Sequence, residues 1–76
     1  MDLLMAIKEF YDILLKHKII QTKPKYEEIE KIADEVYDND YKNLQKYLIV
    51  TLEPTIYNNL KNKLQEIKNI VKKEHE

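Results

Sequence analysis

Apolar positions recur along this chain at intervals of three and four, and one stretch shows the spacing most cleanly. From Pro54 to Lys73, the residues Tyr57, Leu60, Leu64, Ile67 and Val71 are separated by three, four, three and four positions. Asn, Gln and Lys fill most of the places between them. That spacing lines the apolar side chains along one face of a helix of about five turns. A helix so one-sided needs a cover, and the preceding residues must supply it.

They carry the same pattern. Asp2 is placed to cap a first helix ending near His17, with Leu3, Ile7, Phe10 and Leu14 as its stripe, widened by Leu4, Tyr11 and Leu15. Lys16, His17 and Lys18 stand where cations favour a helix C-terminus. Ile19-Ile20-Gln21-Thr22 reads as a connection whose isoleucines close one end of the core. Pro24 suits the first turn of a second helix, capped by Thr22 or Lys23, with Glu27 and Glu28 at the positive end of its dipole. Tyr26, Ile29, Ile32, Ala33 and Val36 form the expected inward face, with Tyr37 at its margin. Asp38-Asn39-Asp40 interrupts it, and Asp40 is placed to cap the next helix.

That third helix is expected from Tyr41 to about Leu52. Leu44, Tyr47, Leu48 and Thr51 share one face, and Ile49, Val50 and Leu52 lie beside them, so the apolar surface wraps most of the way round. On that pattern it is the most buried helix. Glu53-Pro54 ends or kinks it, because proline disfavours helical geometry in the residue before it. The expectation is all-α: a small antiparallel bundle of three to four helices, the last one long, in a single domain over residues 1–76.

Composition narrows this further. Without glycine, tight hairpin turns would rest on Asn or Asp, and only Asn39-Asp40 is placed to try. Seventy-six residues sit near the size at which one core is marginal, and no cysteine supplies a disulfide or a thiolate-bound metal. Well-packed helices or association with a second copy must compensate. No apolar run approaches the roughly 18 residues of a membrane span. Met1-Asp2 opens with an acid where a secretory leader carries positive charge, so a cytoplasmic protein is expected. Heavy use of Ile, Lys, Glu, Asn and Tyr is that of an A/T-rich coding sequence, such as a thermophile, virus or mobile element carries. Residues 1–40 hold six lysines against ten acids, and residues 41–76 seven lysines against four acids. Unlike halves of this kind orient a partner or attract each other within one bundle.

Candidate chemistry is sparse. With neither Ser nor Cys, and with His17 and His75 at opposite ends, no nucleophile stands beside a base, and no catalytic residue is assigned. No Glu-x-x-His occurs, and Asp38-Asn39-Asp40 lacks the glycine and distal glutamate of a calcium loop, so no metal or cofactor is expected. Glu27, Glu30, Asp34 and Asp38 read as a solvated acidic face.

Glu30 to Val36 resembles the first helix of a helix-turn-helix, with Ile32, Ala33 and Val36 at the apolar-Ala-apolar spacing of that family. The resemblance implies a DNA-binding regulator whose next helix would present Lys42, Asn43, Gln45 and Lys46 to the duplex. Tyr37 replaces the turn glycine, and Asp38 and Asp40 oppose a phosphate backbone, so nucleic acid is the alternative and not the favoured partner. Glu9-Phe10-Tyr11 with Pro24-Lys25-Tyr26 and Ile29 resembles the small four-helix bacteriocin-immunity proteins, for which the chain is short.

Six tyrosines in so short a chain favour interfaces, because the ring is apolar while the hydroxyl stays wet. The favoured expectation is therefore a non-enzymatic interaction module, an adaptor, inhibitor or accessory subunit, which binds a protein partner or itself as a homo-oligomer. Tyr37 and Tyr41 are its expected contacts, with Lys61, Lys68 and Lys72 steering by charge.

Overall fold

The computed structural model of the chain describes residues 2–76. It is an all-α small bundle of four helices: α1 (Leu3–Lys16), α2 (Tyr26–Tyr37), α3 (Lys42–Val50) and α4 (Pro54–Glu74). Most of their ends are set by local chemistry. The Asp2 carboxylate accepts the Leu4 N–H at 3.0 Å and caps α1. At its far end Lys18 turns to φ 59°, letting the Ile19 N–H reach the Leu14 carbonyl at 2.8 Å and the Lys18 N–H reach Leu15 at 3.1 Å. This paired closure folds Ile19 back against the core.

Helix α2 closes in the same way around Asn39, at φ 65°. The Asp40 N–H bonds the Glu35 carbonyl and the Asn39 N–H that of Val36, both at 2.9 Å. Asp40 then accepts the Lys42 N–H at 3.2 Å, as its position predicts, although Tyr41 is the residue at the cap itself. Glu53 separates α3 from α4, its two carboxylate oxygens accepting the N–H groups of Thr55 at 3.2 Å and Ile56 at 2.9 Å. Residues 41–73 thus form two helices. Two starts differ from expectation. Helix α3 begins at Lys42 with Tyr41 as its cap residue. Helix α2 begins at Tyr26 with Lys25, not Thr22 or Lys23, at the cap and Pro24 outside the helix, because Lys25 is extended at ψ 159°.

Helix α1 runs antiparallel to α4, with Glu9 beside Lys63 and His17 close enough to Glu53 to act on its charge. Their stripes meet, Ala6, Ile7, Phe10, Tyr11 and Leu14 packing with Leu60, Leu64, Ile67 and Val71. Ile29, Ile32 and Val36 of α2 and Leu44 of α3 complete the core. The Lys63 ammonium joins the two long helices by bonding Glu9 at 2.9 Å and Glu66 at 2.8 Å.

Three expectations about the core need correction. Tyr26 is exposed because α2 begins with it, and the buried stripe starts one turn later at Ile29. Tyr57 is also exposed. It and Ile56 flank the α4 stripe on opposite sides, and the aliphatic residue packs inward while the tyrosine stays at the margin. The third correction is larger. Helix α3, expected to be the most buried, sends only Leu44 fully into the core. Tyr47 and Leu48 are half-buried, and Ile49, Val50 and Leu52 face outward. The α4 stripe is covered chiefly by α1, and a helix of nine residues laid against that pair turns one face inward and the rest to solvent.

Candidate interaction surface

Where α2 ends, α3 begins and α4 finishes, four of the five expected contact residues come together. Asn39, Tyr41, Lys68, Lys72, His75 and Glu76 line a shallow hollow of ≈ 500 Å³. The Lys68 ammonium sits 5.2 Å from the centre of the Tyr41 ring, a cation–π approach. Burial raises the pKa of the Tyr41 phenol, which keeps its hydroxyl protonated as a donor. Tyr37 borders the hollow: its ring lies 4.4 Å from that of His75, and the His75 Nε2 is 2.7 Å from the Tyr37 carbonyl oxygen. His75, at the end of α4, is therefore seated on the end of α2. Lys61 stands apart, two turns before Lys68 on the same side of α4.

One residue of the DNA-binding alternative is committed elsewhere. Asn43 donates from its side-chain amide to Glu35 at 2.6 Å and is half-buried. The Lys46 ammonium lies 5.2 Å over the Tyr47 ring. Lys42, Gln45 and Lys46 are all exposed.

At the opposite end of α3 lies a surface that the apolar pattern alone would place in the core. Ile49 is 79% exposed, Val50 63% and Leu52 91%. The chain turns there from α3 into α4, and the Thr51 hydroxyl donates to the Tyr47 carbonyl at the end of the helix. A legible signal existed. Leu48-Ile49-Val50 and Leu52 are apolar at nearly consecutive positions, and a nine-residue helix on a bundle surface has only one inward face.

Between these two regions Tyr47 reaches α1. Its ring centre lies 6.0 Å from Tyr11 at 79° and 6.5 Å from Phe10 at 57°, while Phe10 and Tyr11 meet at 6.0 Å and 74°. Edge-on packing of this kind is favoured by ring quadrupoles. Burial, and then the charges of Tyr47, Glu28 and Glu35, push the Tyr11 phenol up to about 12. What the fold assembles at its surface is rings, ammonium groups and aliphatic side chains, which are groups suited to binding. No helix among the described residues is long and apolar enough to cross a membrane. Compared with known protein families, curated proteins and solved structures, the chain matches none.

Proposed function

We propose that this chain is a non-enzymatic protein-interaction module whose primary contact is the apolar corner between α3 and α4. The observation that carries the reading is the exposure of Ile49, Val50 and Leu52, three large aliphatic residues within four positions. Exposed aliphatic side chains this close in sequence on a small domain favour an interaction site. Its first partner is a second copy of the chain. The core is small, each copy carries the same corner, and a two-fold contact between identical patches is the commonest route to closure. The lysine and tyrosine hollow at the far end of α3, with Tyr37, Tyr41, Lys68 and Lys72, orients the approach, and Lys61 extends its positive charge along α4.

Sedimentation velocity over a range of concentrations tests this. The native chain should pass from monomer to dimer, and a variant with Ile49→Lys and Leu52→Lys should remain monomeric with an unchanged helical circular dichroism spectrum. A native chain that stays monomeric throughout would remove self-association. Binding to duplex DNA at low salt, steeply weakened by salt and lost on Lys42→Ala with Lys46→Ala, would replace the reading with the regulator.

A further inference from the structure

A second concave region shares no residue with the apolar corner or with the hollow at the end of α4. It is a cleft of ≈ 630 Å³ between the α1–α2 connection, α2 and α3. That is within the range of roughly 300–1,000 Å³ typical of ligand sites. Its chemistry is layered. Ile20, Pro24 and Ile32 are half-buried or buried and form an apolar floor with the edges of Tyr11 and Tyr47. Around this floor stand Lys23, Lys25, Lys31 and Lys46, all exposed. Among the described residues Glu28 is the one acid lining the cleft, and Glu35 stands behind it as the acceptor of the Asn43 amide.

This placement runs against the bulk charge. The first half of the chain is strongly acidic, with six lysines to ten acids, yet three of those six lysines stand on the rim of this cleft. Two of them, Lys23 and Lys25, flank Pro24 in the connection, where Lys23 and Pro24 line a small hollow with Lys8 and Tyr11 of α1. The extended geometry of Lys25, which delays the start of α2 to Tyr26, keeps this segment beside the cleft and out of the helix. The Tyr11 hydroxyl remains protonated through the neutral range and serves as a hydrogen-bond donor at the floor.

We infer that this cleft binds an acidic peptide segment carrying one aromatic or aliphatic anchor, the anchor seated on the apolar floor and the flanking carboxylates facing the four lysines. Charge complementarity and the apolar base select this ligand together: lysines alone would hold any anion, and the floor alone any apolar group. Lysine ammonium groups are mobile point charges that meet carboxylates without demanding the planar geometry of an arginine fork. A short segment from a protein partner is also the ligand an open cleft admits, since both ends of the peptide can leave the cleft.

The test is fluorescence anisotropy of a labelled, end-blocked heptapeptide with one phenylalanine between acidic residues, titrated with the full chain. Saturable binding that weakens with salt is expected. Lys31→Glu with Lys46→Glu should weaken it about tenfold or more, and replacing the peptide's phenylalanine by alanine should weaken it about fivefold. An unchanged thermal unfolding midpoint shows that the charge-reversed variant is folded; if it is not, Lys23→Gln with Lys25→Gln, in the connection outside every helix, takes its place. The Ile49→Lys, Leu52→Lys variant should bind the peptide as the native chain does, which separates this site from the proposed dimer face. Absence of saturable binding at millimolar peptide, equal binding by the charge-reversed variant, or equal binding of the alanine peptide would each overturn the inference. Tighter binding of ATP than of the peptide would overturn it too, and would make the cleft a small-molecule site.

Discussion

Lys18 occupies the left-handed region with φ at 59°, where a side chain beyond glycine crowds the following carbonyl. The hydrogen bonds that close α1 over Leu14 and Leu15 hold it there. Lys18→Gly relieves that crowding and should stabilise the fold by about 1 kcal/mol, read as a higher urea midpoint. Asn39→Gly should do less, because asparagine already tolerates this conformation. A destabilised Lys18→Gly would show that the lysine side chain contributes more than its backbone costs. Glu53 supplies a pH-dependent case. Its pKa is lowered, first by the Ile56 N–H and then by the Thr55 N–H. A carboxylate depressed in the folded state contributes stability above its unfolded pKa and loses it as pH falls through the folded value. Glu53→Gln should therefore flatten the acid limb of the stability–pH profile, with thermal melts between neutral and strongly acid pH as the measurement. The caps at Asp2 and Asp40 were legible in the sequence, because each acts on an N–H group two residues away, whereas Glu53 was read only as a break before Pro54. The positive φ of Lys18 was not, since lysine carries no local preference for it.

The helices themselves follow from spacing, but their depth does not. In α4, Leu60, Leu64, Ile67 and Val71 are buried as their intervals require. In α3 the same kind of residues divide between Leu44, which is buried, and Ile49 and Val50, which are exposed. Truncation separates the two roles. Leu64→Ala and Leu44→Ala should each cost about 2–5 kcal/mol in denaturant unfolding. Ile49→Ala should change the stability of the monomer by no more than about 0.5 kcal/mol. A large loss at Ile49, measured at low protein concentration, would place α3 deeper in the bundle than its exposure indicates. Helix α2 starts beyond its proline because proline is compatible with both a first helical turn and an extended entry. Here Lys25, extended at ψ 159°, takes the second course.

At the scale of the molecule, the antiparallel pair α1 and α4 is the frame on which α2 and α3 rest. Lys63 bridges it at the surface, and its pKa is raised by the Glu66 hydrogen bond and then by that to Glu9. A cation raised in this way contributes stability below its unfolded pKa, which is lost as pH rises through the folded value. The Lys63 side chain is half-buried but both carboxylate partners stay partly exposed, so Lys63→Met should cost only about 0.2–1 kcal/mol at low salt and less at high salt, measured by paired urea titrations. A loss that salt does not diminish would assign the effect to packing of the lysine stem. The grouping of Tyr41 with Lys68 and Lys72 could not be read from residues so far apart in the chain, and neither could the gathering of Lys23, Lys25, Lys31 and Lys46 around one cleft. By itself the sequence determined the helical class, most helix ends and the inward stripes of α1 and α4, because these depend on interactions within a few residues and on a period of roughly 3.6 residues. Tertiary structure alone decided which apolar face found a cover. The α4 stripe is covered chiefly by α1, α3 reaches the core fully through Leu44 alone, and Ile49, Val50 and Leu52 face outward.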